Sequence, residues 1–195
     1  DYIGHQYGPH SQEIFDTYIK LDRDIAKLLK YLNDNIGKEN IVVFLTADHG
    51  VSSEPHKLLD FNIPAGYFQK NEAISELTKH LRDYFDWPSD DIKAQEFISN
   101  FSNNQLFLNH DFIKKNIGAG KSNSIAEICA KFFLKQDGVK NTFTSYQMHN
   151  YQYSHSTHAI IQQGFNHKRS GDVIIELEPG SVSYTHLRAH ETHRY

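Results

Sequence analysis

An α/β fold is the class this sequence predicts, on three observations. Ile14, Phe15, Tyr18, Leu21, Ile25, Leu28, Leu29, Leu32 and Ile36 recur at helical spacing, so residues 11–36 predict one amphipathic helix that Gly37 ends. The continuous run Ile41-Val42-Val43-Phe44-Leu45 follows, with the composition of a strand buried on both faces, as in a parallel sheet. The order of the two, a helix followed by a doubly buried strand, suggests an α/β architecture.

The pattern changes from about residue 71. A helix is predicted over roughly 71–85, ending near Trp87-Pro88. Phe97-Ile98-Ser99 and Gln105-Leu106-Phe107-Leu108 flank Asn103-Asn104 and predict a hairpin. Helices near 110–117 and 122–136 precede a strand near 139–144, then a helix over roughly 148–163 leads to a returning strand at 171–177. The expected organisation is an α/β core over 1–70, a small α+β insertion over 71–145, and a return to the core over 146–180. Residues 181–195 show no usable periodicity, resemble translated adapter sequence, and are expected to form an unpacked, non-native tail. A His-rich metal-binding end is the functional alternative for that tail.

With 195 residues, 38% of them hydrophobic and 13% aromatic, the chain can bury a sizeable core, which excludes a disordered or fibrous class. The formal net charge is −4 and the basic residues are scattered, which argues against nucleic acid or an acidic membrane surface as partner. No apolar run approaches the roughly 20 residues that span a bilayer. The single cysteine, Cys129, lies in the apolar pattern Ile125, Ile128, Phe132, Phe133 and reads as a small core residue. Thirteen histidines are the compositional anomaly, so each needs a positional argument before it counts as a ligand.

Two motifs supply that argument. Asp1-Tyr2-Ile3-Gly4-His5, followed by Gly8-Pro9-His10-Ser11, sets a carboxylate and an imidazole four residues apart in a turn bearing glycine. Both are common zinc ligands, although a lone D-x-x-x-H string also arises by chance. Thr46-Ala47-Asp48-His49-Gly50 follows the run 41–45, and ligands of open α/β sheets bind beyond the carboxyl ends of strands. Adjacent side chains on a strand diverge, so Asp48 and His49 share one ion only if the chain bends, which Gly50 permits. A polar strand end with Asp48 capping the next turn is the structural alternative.

The ordered pair, with a long helix between, resembles the alkaline phosphatase superfamily, in which D-x-x-G-H lies upstream of a strand ending in A-D-H-G. Gly8-Pro9-His10-Ser11, Ile63-Pro64-Ala65-Gly66-Tyr67-Phe68, Asn103-Asn104-Gln105-Leu106-Phe107-Leu108-Asn109 and Lys168-Arg169-Ser170-Gly171-Asp172-Val173 narrow the resemblance to its PafA-type bacterial members, over residues 1 to about 180. That resemblance implies part of an α/β/α sandwich with an inserted α+β subdomain. It implies two zinc ions, one held by Asp1 and His5 and the other by Asp48 and His49, with the two pairs converging on one site. It also implies hydrolysis of a small phosphomonoester through a phospho-enzyme, and a periplasmic or secreted location that the sequence alone does not give.

The departures bear on activity. The family places a further Asp ligand and the Thr nucleophile upstream of Asp1, where this sequence has nothing, so no catalytic nucleophile is assigned and a truncated fragment is expected. Its last His ligand sits in G-T-x-H-G; Thr185-His186 echoes this, but Leu187 replaces the glycine and the ligand is not carried onto His186. His149, His155 and His158, near a Tyr-rich helix start, read as solvated or hydrogen-bonded imidazoles, and His56 and His167 fall in loops. His10 is a candidate to support the metal ligands from behind. Lys168 and Arg169 read as a solvated basic turn before they read as phosphate ligands. The alternatives are a phosphodiesterase or nucleotide pyrophosphatase, a phosphoglycerate mutase of the same superfamily, or a non-catalytic metal-binding domain; oligomeric state stays open.

Overall fold

The computed structural model describes residues 2–47, 50–87 and 94–183. They fall into two compact units, one running to Pro64 and one starting at Ala65.

The first unit is helical. A short helix α1, Tyr2–Tyr7, precedes α2, Gln12–Ile36, and a single 3₁₀ turn, Lys38–Asn40, follows. Ser11 starts α2, its Oγ accepting from the Ile14 amide at 3.2 Å, and so satisfies one of the donors a helix start leaves open. Gly37, at φ +93°, ends it by donating its N–H to the Asn33 carbonyl. The predicted boundaries of α2 therefore hold, because both caps are written locally. Its apolar stripe is another matter, since no residue of α2 is buried. The predicted strand 41–45 does not form: the segment is irregular, and Phe44 and Leu45 are 88% and 92% exposed. A strand buried on both faces needs neighbouring strands and covering layers, and the described residues offer neither. The unit closes with α3, Pro55–Asp60.

The second unit contains β1 (Gly66–Phe68), α4 (Lys70–Tyr84), α5 (Ala94–Phe97), β2 (Ile98–Ser102), β3 (Gln105–Leu108), α6 (His110–Asn116) and α7 (Ser122–Phe133). It continues with β4 (Val139–Thr144), α8 (Ser145–Asn150), α9 (Ser156–Gly164), β5 (Val173–Leu177) and β6 (Ser181–Ser183). Strands β2, β3, β5 and β4 form an antiparallel sheet in that order. The predicted hairpin is present, with Asn103 and Asn104 both at positive φ in the two-residue turn that joins β2 to β3. Turns of that hand match strand twist, and Asn tolerates the conformation better than most residues. Leu106 and Leu108 on β3, and Val173 and Ile175 on β5, are buried at alternate positions, as a sheet with one covered face requires. The cover is α7 against β4 and β5, with α4 behind it. Leu77, Leu81, Phe97, Ile125, Cys129 and Phe133 fill the space between. Trp87 and Phe112 sit 5.2 Å from Phe97, ring centroid to centroid, and extend this core in tilted and edge contacts.

Two predictions fail here for identifiable reasons. The helix expected over 148–163 is two helices. A capping box starts α8, with the Gln147 amide N–H donating to Thr144 Oγ1 and the Thr144 N–H to Gln147 Oε1. The chain then leaves the helix after Asn150, and the Gln162 side chain bonds the Met148 and Tyr151 carbonyls and the Tyr153 amide. The stretch from Ser181 is not wholly unpacked either, because Ser181–Ser183 pairs in parallel with Gly66–Phe68. Residues from Tyr184 onward lie outside the described residues.

Lys168-Arg169-Ser170-Gly171-Asp172-Val173 acquires a structural meaning. A Cβ on Gly171 would sit 2.7 Å from the Leu106 carbonyl oxygen, so only glycine lets the start of β5 lie this close to β3. The Asp172 N–H donates to that same carbonyl at 2.8 Å, its carbonyl accepts from Ser145 at 2.8 Å, and its Oδ2 accepts from the buried Leu108 amide at 2.8 Å. Its Oδ1 lies 3.1 Å from His110 Nε2, and His110 Nδ1 lies 2.9 Å from Ser122 Oγ at the start of α7. Gly171→Ala and Asp172→Ala should each lower stability by about 1–3 kcal/mol, through overpacking and an unpaired buried donor respectively. Urea unfolding followed by circular dichroism checks this; an unchanged midpoint for both would remove the role assigned to this turn.

Two ionisable groups predict the pH dependence. Burial, with Asp172 adding to it, pushes the Cys129 thiol up to about 12. The unfolded thiol ionises first, so stability should be complete below about pH 9 and fall as pH rises toward 12. Cys129→Ala should flatten that alkaline decline, and native Cys129 should resist thiol reagents until the chain unfolds. Burial alone would raise the Glu176 carboxyl, but hydrogen bonds from Asn141 and Lys140 outweigh it and hold the group below its usual value of 4.5. That contribution should be present above pH 4.5 and be lost as pH falls through the lowered value, a decline that Glu176→Gln should lack.

Candidate metal site

Of the four residues read as metal ligands, Asp1, Asp48 and His49 lie outside the described residues. His5 is placed by its backbone, in α1. The segment expected to be a tight turn is thus a helix from Tyr2 to Tyr7. The expected convergence of the two pairs lies outside the described residues. Among the described residues no three His, Cys, Asp or Glu side chains gather as a metal cluster would.

The segments that follow the two motifs are described, and they meet. After α1 the chain turns at Gly8, φ +85°, whose N–H donates to the Gly4 carbonyl at 3.0 Å. The Ser11 hydroxyl donates to the Gly8 carbonyl at 2.9 Å while accepting from Ile14, so one side chain closes the turn and starts α2. His10, between them, reaches across 43 positions of sequence, its Nε2 lying 3.1 Å from Ser53 Oγ. Beside this bond the Glu54 carboxylate lies against Gly8, where any Cβ would collide with it. Glu54 precedes α3, whose first residue, Pro55, is buried and suits the first turn because it has no N–H to satisfy. Tyr7, Gly8, Pro9, His10, Glu54 and Lys57 line a cavity of about 140 Å³ that Ser11 completes. This is smaller than the ~300–1,000 Å³ of pockets that enclose whole organic ligands.

Three further histidines have identified surroundings. His158 lies 4.8 Å from the Phe143 ring and 5.6 Å from Tyr153, centroid to centroid, with Asn141 within 3.4 Å of its Nε2. His149 and His167 are 6.4 Å apart between ring centroids. Lys168 and Arg169 sit in a turn closed by Asn166, which accepts from both of their amides. Sequence reasoning missed Ser53 and Glu54 entirely. The available signal was Gly8, since a glycine between a helix end and a proline marks a close approach by something else.

All 195 residues match the model of the family described as type I phosphodiesterase / nucleotide pyrophosphatase. The chain is 34% identical over 92% of its length to "Calcium-transporting ATPase" of Myroides odoratus, of which it covers 31%. It is 35% identical over 92% of its length to "Alkaline phosphatase PhoV" of Synechococcus elongatus, covering 30% of that protein. It is 28% identical over 94% of its length to "Alkaline phosphatase PafA" of Elizabethkingia meningoseptica, covering 32%. The crystal structure of wild-type alkaline phosphatase PafA superposes with a TM-score of 0.80 at 27% identity, over 94% of this chain and 33% of that one. The chain therefore spans about a third of the length of the curated relatives it matches. The mixed α/β fold is that of these phosphatases, and the chain belongs to the type I phosphodiesterase / nucleotide pyrophosphatase family.

Proposed function

We propose that these residues form the metal-ligand-bearing third of a two-zinc phosphomonoesterase. One observation carries the reading: the D-x-x-G-H and A-D-H-G motifs stand in order, and the segments flanking them are tied together by His10 and Ser53. Resemblance to proteins called alkaline phosphatases over more than nine-tenths of the chain supports the monoester reading.

Asp1 and His5 would hold one ion and Asp48 and His49 the other. The donor set fits zinc: carboxylate oxygens and imidazole nitrogens without thiolate belong to catalytic rather than structural zinc sites. When bound, such a pair stabilises the charge developing on the entering and leaving oxygens of an in-line phosphoryl displacement. The two carboxylates offset half of the positive charge this places in the loops. The two imidazoles must be neutral to ligate, so binding should weaken with acidification. The Gly8 turn and the α3 start order the segments that follow the two motifs.

The Thr nucleophile and the third ligands of each ion belong, by resemblance, to sequence upstream of Asp1 and downstream of the last core strand. We therefore propose that the 195 residues alone bind zinc weakly and turn over nothing at a useful rate. A periplasmic or secreted location goes with the same resemblance. A phosphodiester substrate is the second reading, favoured by the family's description as type I phosphodiesterase / nucleotide pyrophosphatase.

Titration with Zn²⁺ should give affinity well below the ~10–16 kcal/mol of structural zinc sites, reduced further in the Asp48→Ala, His49→Ala variant. Hydrolysis of p-nitrophenyl phosphate at alkaline pH should be negligible in both. Robust turnover that the double substitution abolishes would show a complete site within these residues. Faster cleavage of bis-p-nitrophenyl phosphate would favour the diester reading.

A further inference from the structure

We infer that His10 and Ser53 form a clasp that sets the spacing of the two metal-ligand loops, with His10 acting as a positioning residue and not as a ligand. The inference rests on the zinc reading above and adds to it a specific pair of side chains. Three observations on the first unit carry it. His10 is five positions beyond His5, and Ser53 is four beyond His49, so one hydrogen bond of 3.1 Å joins the segments that follow the two motifs. The bond does not stand alone, because the Glu54 carboxylate rests on Gly8 in the space a side chain there would occupy. Both ends of the clasp are anchored to regular structure: Ser11 ties the His10 turn to α2, and the Glu54 carbonyl accepts from Leu58 at 3.1 Å within α3.

The chemistry of the bond explains the residue types. A hydroxyl can donate to or accept from an imidazole nitrogen, so the contact persists in either neutral tautomer. Ser53 is a poor zinc ligand, whereas His10 is a good one, and the hydrogen bond occupies its Nε2. Partners lying behind metal ligands contribute by fixing orientation, and their removal commonly costs about 10–100-fold in metal affinity. A single bond at the surface belongs at the lower end of that range.

The test is Zn²⁺ titration of the 195 residues by competition with a chromophoric chelator, with unfolding of the metal-free proteins measured in parallel. His10→Ala and Ser53→Ala should each weaken zinc binding by about tenfold, the double variant no more than the worse single one, and His10→Gln should recover most of the loss. The metal-free unfolding midpoints should move little, which separates positioning from general destabilisation. If Ser53→Ala binds zinc as the unaltered chain does while His10→Ala loses binding, His10 is itself a ligand and the clasp is refuted. If neither substitution changes the affinity, the clasp is also refuted, with the zinc reading left standing. If the unaltered chain binds zinc no better than His5→Ala, the zinc reading fails and takes the clasp with it.

Discussion

Every polar atom of Asp172 is used, and the second unit is organised around that fact. Its amide and carbonyl join β3 to the start of α8, while its two carboxylate oxygens hold the Leu108 amide and approach His110. Through His110 and Ser122 the same residue reaches the first turn of α7, the helix that covers the sheet. The neighbouring Gly171 is what admits the backbone to this position. A Ser, a His and an Asp joined in a row invite comparison with a hydrolytic relay. Here the carboxylate is already bonded to a buried amide, and the row connects three structural elements instead of addressing a substrate.

The first unit depends on loop contacts rather than on a core. None of the α2 side chains is buried, and the apolar run after it has no ladder partner among the described residues. What is well defined there is local: the Ser11 cap, the Gly37 stop, the Gly8 turn and the His10–Ser53 bond. Local order of this kind is fixed by hydrogen-bond geometry over a few residues. The loops can thus be placed where the hydrophobic faces beside them remain bare.

How much could be read from the amino acids follows the same division. The bounds of α2, the Asn103-Asn104 hairpin and the burial of Cys129 were all legible, because capping chemistry, turn chemistry and periodicity are encoded near where they act. The run 41–45 was not, since its strand character depends on neighbours that composition cannot supply. The break between α8 and α9 was hidden because Gln162, which satisfies the intervening backbone, acts from eleven residues away. Of the candidate site, the D-x-x-G-H and A-D-H-G strings stand in the sequence as an ordered pair, and the metal reading proposed for them rests on that order. The His10–Ser53 contact was not legible, because a bond across 43 positions leaves no mark on either segment alone.

The run from Ile41 to Leu45, exposed from Val42 onward, has a consequence for handling these residues. Five consecutive β-forming residues without charge or proline are the composition of a segment that adds strands from other molecules. Natural sheets guard such edges with lysine, bulges or covering elements, and Lys38 and Glu39 are the nearest charges on the upstream side. Handled as these 195 residues alone, the chain should therefore associate through this short segment at high concentration. Any polypeptide that caps it will act as a solubility factor as much as a structural one.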